Sequence, residues 1–569
     1  MNYVILAVAG AVATISVLAM GQTPSSTPSS SPSTTPATPY EKMQAFIFQP
    51  IRFEQFVFAG ETFPKCDFAD PAKVKDLIGP YTIKTRFYDA TGKEVYAPKT
   101  LGRYGAVVEI KYAARTTKRF VTLHHSPGEA AAIAPAGEPA FLKDFDQQVV
   151  KEHSAEIHPP IPDHLGGTPL KEAWEAVVGA GLADLTVTKA VGRPLPIDTL
   201  RNLDRQWWVD FKRHYYGYDN IYTKPFNVPA EISGPPATVV HEGTLAQADF
   251  KPGAAQAIDQ AAEAWVKDVS RGFHLVVVRH GVVVVNKAYG TLGDGPQKDE
   301  PYTTDTIAPL ASCTKFLSGI LMSEFADQGL IDFDQPLAKY LPTLGENAPK
   351  APTIRQAYVH IAGLSGHWGD LLDDFEERLA DLYPTLEVGK KHEYEGVSLA
   401  AGGHIMEMMS GMSIPRLYQK CLFEPLGVHV KSDFTSYGGE GTAMDLARIG
   451  QMMLSGGRYG KYRFTSQAAI DKMMPVAGQD RYEPDMTVRW GIGIKQFDSD
   501  GLSEKAYSHP GASGSFVAVD PTRDLVIAMT RFDEGGSFKN FLIKKGAFIK
   551  VILDQLQEAK YPVVSSREE

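Results

Sequence analysis

The sequence predicts an α+β protein: an antiparallel sheet flanked by terminal helices plus an all-helical lobe, preceded by a separate α+β N-terminal domain. Three observations carry this expectation. Pro252-Gly253 opens a stretch with Ile258, Ala261, Ala262, Trp265, Val266 and Val269 on one side, the spacing of a helix that buries one face. Apolar runs 275–278 and 282–285 flank Arg279-His280-Gly281 and read as a hairpin with a tight turn. After a long middle section, strand-like runs return at 517–519 and 525–529, followed by a helix from about Phe538 to Leu556. Helix, strands, insertion, strands, helix is the order of a sheet layered with its own terminal helices.

Composition narrows the function classes. The chain has 569 residues, of which 43% are hydrophobic and 22% charged, which excludes wholesale disorder and fibre repeats. A net charge of −10 argues against a generic nucleic-acid binder. The three cysteines, Cys66, Cys313 and Cys421, are too few for a disulfide scaffold and fall in no metal-ligand spacing.

In chain order, Val4 to Ala19 is almost wholly apolar and ends in Ala19-Met20-Gly21. Residues 1–21 therefore read as a signal peptide, and the protein as exported: periplasmic, envelope-associated or secreted. The rival is an uncleaved anchor, since no Lys or Arg precedes the run, but the run is short for a bilayer span. That segment, if retained, is the expected membrane contact. Residues 22–39 hold 11 Ser or Thr and 5 Pro and read as an extended linker. Residues 40–244 read as an α+β domain of unknown role, with strands near 81–88, 107–112 and 119–123, a turn at 89–92 and a helix near 169–178. Aromatics from Trp207 to Phe226 crowd one segment of it. Packing is favoured there over a ligand-stacking platform, because large aromatics usually serve burial. His153, His158 and His164 lack zinc-type spacing. Residues 245–560 form the main domain, and 561–569 a tail.

The chemistry concentrates in three segments. In Ala311-Ser312-Cys313-Thr314-Lys315-Phe316, a Ser precedes a Lys by three positions as an apolar helix begins. Positions i and i+3 share a helix face, and a helix N-terminus favours negative charge. Both effects would help Ser312 form an alkoxide. Cys313 is read as a core thiol rather than a nucleophile. Alone, this pattern is common by chance. Tyr394 follows Ser312 by 82 residues, and a phenol beside an ammonium is favoured in its charged form, able to take a proton. His509-Pro510-Gly511-Ala512 alone reads as a turn.

Taken together and in order, these segments resemble the serine β-lactamase and penicillin-binding-protein superfamily, especially its class C β-lactamase-related branch of esterases and D-amino-acid peptidases. The resemblance covers roughly residues 250–558. Beside the blocks above, it rests on 329–337, Thr353-Ile354-Arg355-Gln356, 360–364, Glu424-Pro425-Leu426-Gly427, 445–448 and Trp490-Gly491-Ile492-Gly493. It implies a β-lactamase/transpeptidase-like fold and an acyl-enzyme, with Ser312 as nucleophile and Lys315 and Tyr394 moving protons. The backbone N–H groups of Ser312 and Ala512 would form the oxyanion hole. His509 would supply a donor or partial positive charge to the substrate, Gly511 a close backbone approach, and Gly396 part of the substrate-binding wall. Gly396 stands where the family carries Asn, a departure that disfavours efficient lactam hydrolysis.

The expectation is an exported serine hydrolase acting on an ester or a D-amino-acid peptide or amide, with a small-molecule or cell-wall-derived peptide substrate, no cofactor and no metal. The alternatives are a weak β-lactamase or penicillin-binding protein, and a non-catalytic scaffold that retains the fold.

Overall fold

A computed structural model describes residues 37–52, 56–58, 66–89, 91–96, 102–126, 197–269, 271–293, 298–345, 351–370, 372–476, 488–497, 500–533 and 537–557. The expected signal peptide, most of the linker, His153, His158, His164, the helix near 169–178 and the tail lie outside these residues. No described helix is long and apolar enough to cross a membrane.

Helix α1 (Pro39–Ile47) begins with a capping box in which Thr38 and Glu41 satisfy each other's backbone N–H, the arrangement that fixes a helix start. Strands β1 (Tyr81–Asp89), β2 (Gly102–Tyr112) and β3 (Arg115–Ser126) form an antiparallel meander, extended at its edges by Phe56–Phe58 and Glu94–Val95. Helix α2 (Ile197–Tyr215) lies on this sheet. Its Trp208 stands edge-on to Phe120, with ring centroids 5.3 Å apart, and its Phe211 stands edge-on to Tyr88 at 4.9 Å. The aromatic segment is therefore used for packing.

The main layer begins with α3 (Ala254–Val269) and the hairpin β4 (Phe273–Arg279) and β5 (Val282–Tyr289). The hairpin turns on His280 and Gly281, at φ 54° and 78°, a left-handed pair that a two-residue turn requires. Then come β6 (Ala308–Ala311), α4 (Thr314–Asp327), α5 (Phe375–Leu382), α6 (Val397–Ser410), β7 (Gly439–Gly441) and α7 (Ala443–Leu454). The chain closes with β8 (Val488–Trp490), β9 (Lys495–Phe497), β10 (Tyr507–Pro510), β11 (Phe516–Asp520), β12 (Leu525–Thr530) and α8 (Phe538–Leu553). The sheet order is β8-β9-β10-β11-β12-β4-β5, with His241–Glu242 beside β5. The N-terminal hairpin thus completes a sheet begun by the C-terminal strands.

Side-chain alternation gives that sheet two buried faces. Leu275 and Val277 point to α3 and α8, where Trp265, Phe541 and Phe548 lie. Val276 and Val278 point the other way, into the core shared with α4, α6 and α7. That second core also contains Phe46, Phe68, Val108 and Ile110 from the N-terminal region. Buried ion pairs join the two regions: Arg119 to Asp381 at 2.9 Å and Lys212 to Glu377 at 3.0 Å.

Candidate active site

Ser312 lies in the turn between β6 and α4, rather than on the helix itself. Cys313 is the N-cap and Thr314 the first helical residue. The preceding Ala311 has φ 47°, a strained conformation for a residue with a Cβ. A sharp strand–turn–helix junction therefore holds the hydroxyl out of the helix. The Tyr394 hydroxyl donates to Ser312 Oγ at 2.6 Å. Tyr394 is placed by the segment just before α6, whose N-cap is Gly396.

Lys315 is 2% exposed. Its ammonium donates to the Ser436 carbonyl at 2.8 Å and stands 4.7 Å from the Tyr394 ring centroid. It makes no hydrogen bond to Ser312, so the direct contact expected from i, i+3 spacing is replaced by a contact through Tyr394. The reason is that Ser312 sits outside the helix. Burial lowers the Lys315 pKa to about 8, and the nearby Glu395 and Asp370 carboxylates oppose that shift. Burial in turn raises Glu395 to about 8.

His509 differs from expectation. It is 1% exposed, its Nδ1 donates to the Gly493 carbonyl at 2.8 Å, and burial with the nearby Lys495 and Lys315 charges pushes its pKa well below the usual range. The imidazole is therefore neutral, and its donor is used on its own backbone, so it offers no positive charge. The charge on this wall belongs to Lys495, buried on β9 and stacked 3.8 Å above the Trp490 ring and 5.0 Å from that of Tyr394. The sequence reading missed Lys495. The signal available was a lysine two positions after the Trp490–Gly493 block.

Gly511 is also required for a different reason. A Cβ there would meet the Leu310 carbonyl at 2.2 Å. The close approach is to β6, and it brings the turn after β10 against the Ser312 turn. Among the described residues, neither the Ser312 nor the Ala512 amide donates to a backbone carbonyl in the turns, which leaves both free for an external oxygen. Cys313 is fully buried, donates to the His509 carbonyl at 2.8 Å, and is pushed by burial up to about 12, so it is no nucleophile. Gly396 has no room for a side chain: a Cβ would lie 2.5 Å from His367 Nδ1 and 2.8 Å from Ser436 Oγ. His367, likewise missed, occupies that space. Among the described residues no His, Cys, Asp and Glu cluster could hold a metal ion.

Comparison with known proteins gives the following. The family model described as Beta-lactamase matches residues 254–539. The esterase/beta-lactamase LipL of Mycobacterium tuberculosis is 35% identical over 141 residues, 23% of this chain and 32% of that protein. The chain thus spans about a third of LipL's length in that match. Penicillin-binding protein 4 of Amycolatopsis lactamdurans is 24% identical over 313 residues, 46% of this chain and 80% of that protein. A penicillin-binding-protein homologue from Caulobacter crescentus aligns in structure with a TM-score of 0.48 and 21% identity, over 54% of this chain and 99% of that one. The family match contains the Ser312 turn, Tyr394 and the β10 turn in order, and the chain belongs to the beta-lactamase family, within the serine β-lactamase and penicillin-binding-protein superfamily.

Proposed function

We propose that this protein is an exported serine hydrolase that works through an acyl-enzyme on an ester or a D-amino-acid peptide or amide. The observation that carries the reading is the 2.6 Å contact of Tyr394 with Ser312, backed by a buried lysine of lowered pKa. The neutral Lys315 amine takes up the phenolic proton of Tyr394, and as Ser312 Oγ attacks the substrate carbonyl carbon its own proton passes to the Tyr394 oxygen. Whenever the Tyr394 oxygen is without its proton, the Lys315 ammonium formed by that transfer and the neighbouring Lys495, both near the Tyr394 ring, stabilise the negative charge on it. The carbonyl oxygen takes the negative charge and rests on the Ser312 and Ala512 amides. Collapse breaks the bond to the leaving alcohol or amine, which takes its proton from Tyr394. Water then attacks the acyl group, gives a proton to Tyr394, and Ser312 leaves with that proton restored.

Residues 245–560 carry this activity in the proposed division of the chain, and residues 1–21 direct export. The occupied space at Gly396 supports ester or simple amide substrates over β-lactams. A fluorophosphonate probe followed by intact mass tests the reading. One adduct is expected on the wild type and none on Ser312→Ala, whose turnover falls by a factor on the order of 10⁴ or more. An unreacted wild type, or an adduct that survives Ser312→Ala, removes the proposal. Turnover of nitrocefin well above that of p-nitrophenyl esters overturns the substrate ranking.

A further inference from the structure

His367 lies outside every block that carried the resemblance. It sits in the loop after Leu364, is exposed, and flanks Tyr394, with ring centroids 6.5 Å apart. Its Nδ1 fills the space a side chain on Gly396 would need, beside Ser436 Oγ. The loop is fastened there by the Gly396 amide, which donates to the Gly366 carbonyl at 2.9 Å. Helix α1 fastens its other side. Tyr40 Oη lies 3.0 Å from Ser365 Oγ, Gln44 Nε2 donates to the same oxygen at 2.7 Å, and Phe48 stands edge-on to Trp368 at 6.0 Å. An exposed imidazole on a loop held from both sides, standing beside Ser312's hydrogen-bond partner, is placed to meet a ligand. Burial of its inner edge and the Lys315 charge lower its pKa to about 4, so it is neutral near pH 7. A neutral imidazole offers one donor and one acceptor, which suits an uncharged amide and gives a carboxylate no charge to pair with.

We infer that His367 is the residue that selects the acyl group of the substrate, hydrogen-bonding an uncharged amide next to the reacting carbonyl, from the position a side chain at 396 would otherwise occupy. This rests on the serine-hydrolase reading above and adds the substrate feature that the site recognises. The N-terminal region gains a role as well, since α1 holds the selecting loop in place.

The test uses the full chain and two p-nitrophenyl esters of similar size, one of N-acetyl-D-alanine and one of butyrate. Wild type is expected to prefer the amide-bearing ester. His367→Gly is expected to lower that preference, read as the ratio of the two kcat/KM values, by about fivefold or more, the scale of one lost neutral hydrogen bond. His367→Phe, which keeps the space filled without a polar atom, is expected to give the same fall, and covers the case in which glycine loosens the loop. A fall that is equal for both esters, leaving the ratio unchanged, marks a merely structural residue and overturns the inference. Fluorophosphonate labelling separates the two claims. A wild type that fails to label removes the hydrolase reading itself, whereas a labelled wild type with an unchanged ratio in both variants removes only the role of His367.

Discussion

Burial sets the proton chemistry at the residue scale. With its pKa lowered to about 8, Lys315 is mostly protonated below pH 8 and mostly neutral above it. A neutral amine beside Tyr394 can share the proton that leaves Ser312, whereas an ammonium cannot. The expected result is a kcat/KM that rises with pH and levels off above about pH 8. Lys315→Arg keeps its positive charge at every accessible pH, so the rising limb disappears and activity falls. A wild-type profile flat from pH 6 to 9 contradicts this assignment. The same logic explains His509. Buried beside two ammonium groups, it stays neutral, so its environment rather than its residue type decides its role.

Contacts between elements decide where the reactive groups meet. Helix α1 touches the site through Ser365, and the Tyr40 and Gln44 hydrogen bonds hold a loop rather than a reacting atom. Removing both as Tyr40→Phe with Gln44→Ala is expected to raise KM about threefold to tenfold, given the usual worth of two partly exposed hydrogen bonds, with Ser312 still labelled by a fluorophosphonate. Unchanged steady-state constants would show that α1 does not act on the site. Gly511 shows the same principle in the backbone. The turn after β10 reaches Ser312 because nothing larger than hydrogen stands between it and the Leu310 carbonyl.

The whole molecule is bound by buried charge as well as by apolar surface. Arg119, 1% exposed, pairs with Asp381 at 2.9 Å and lies 3.6 Å from Asp374, while Tyr112 donates to Asp381 at 2.9 Å. Breaking such a pair from one side leaves buried carboxylates uncompensated, at a cost of about 3–5 kcal/mol. Arg119→Met is therefore expected to lower Tm by roughly 5–10 °C. A melting curve that does not move would mean that the joint between the regions is held by its apolar contacts alone.

The sequence by itself determined the parts of this protein that are encoded over short distances. The β4–β5 hairpin follows from apolar runs around His280-Gly281, α4 from the apolar stretch that begins after Lys315, and the candidacy of Ser312, Lys315 and Tyr394 from ordered local blocks. Tertiary structure alone decided what surrounds those residues. Lys495 against Tyr394, His367 in the space at Gly396, and Ser365 beside Tyr40 bring together residues 101, 29 and 325 positions apart, through the folding of the chain. The physical reason is range: turn geometry and helix faces are set by neighbours along the chain, whereas burial, and with it the charge of Lys315 and His509, is set by whatever the folded chain brings within a few ångströms.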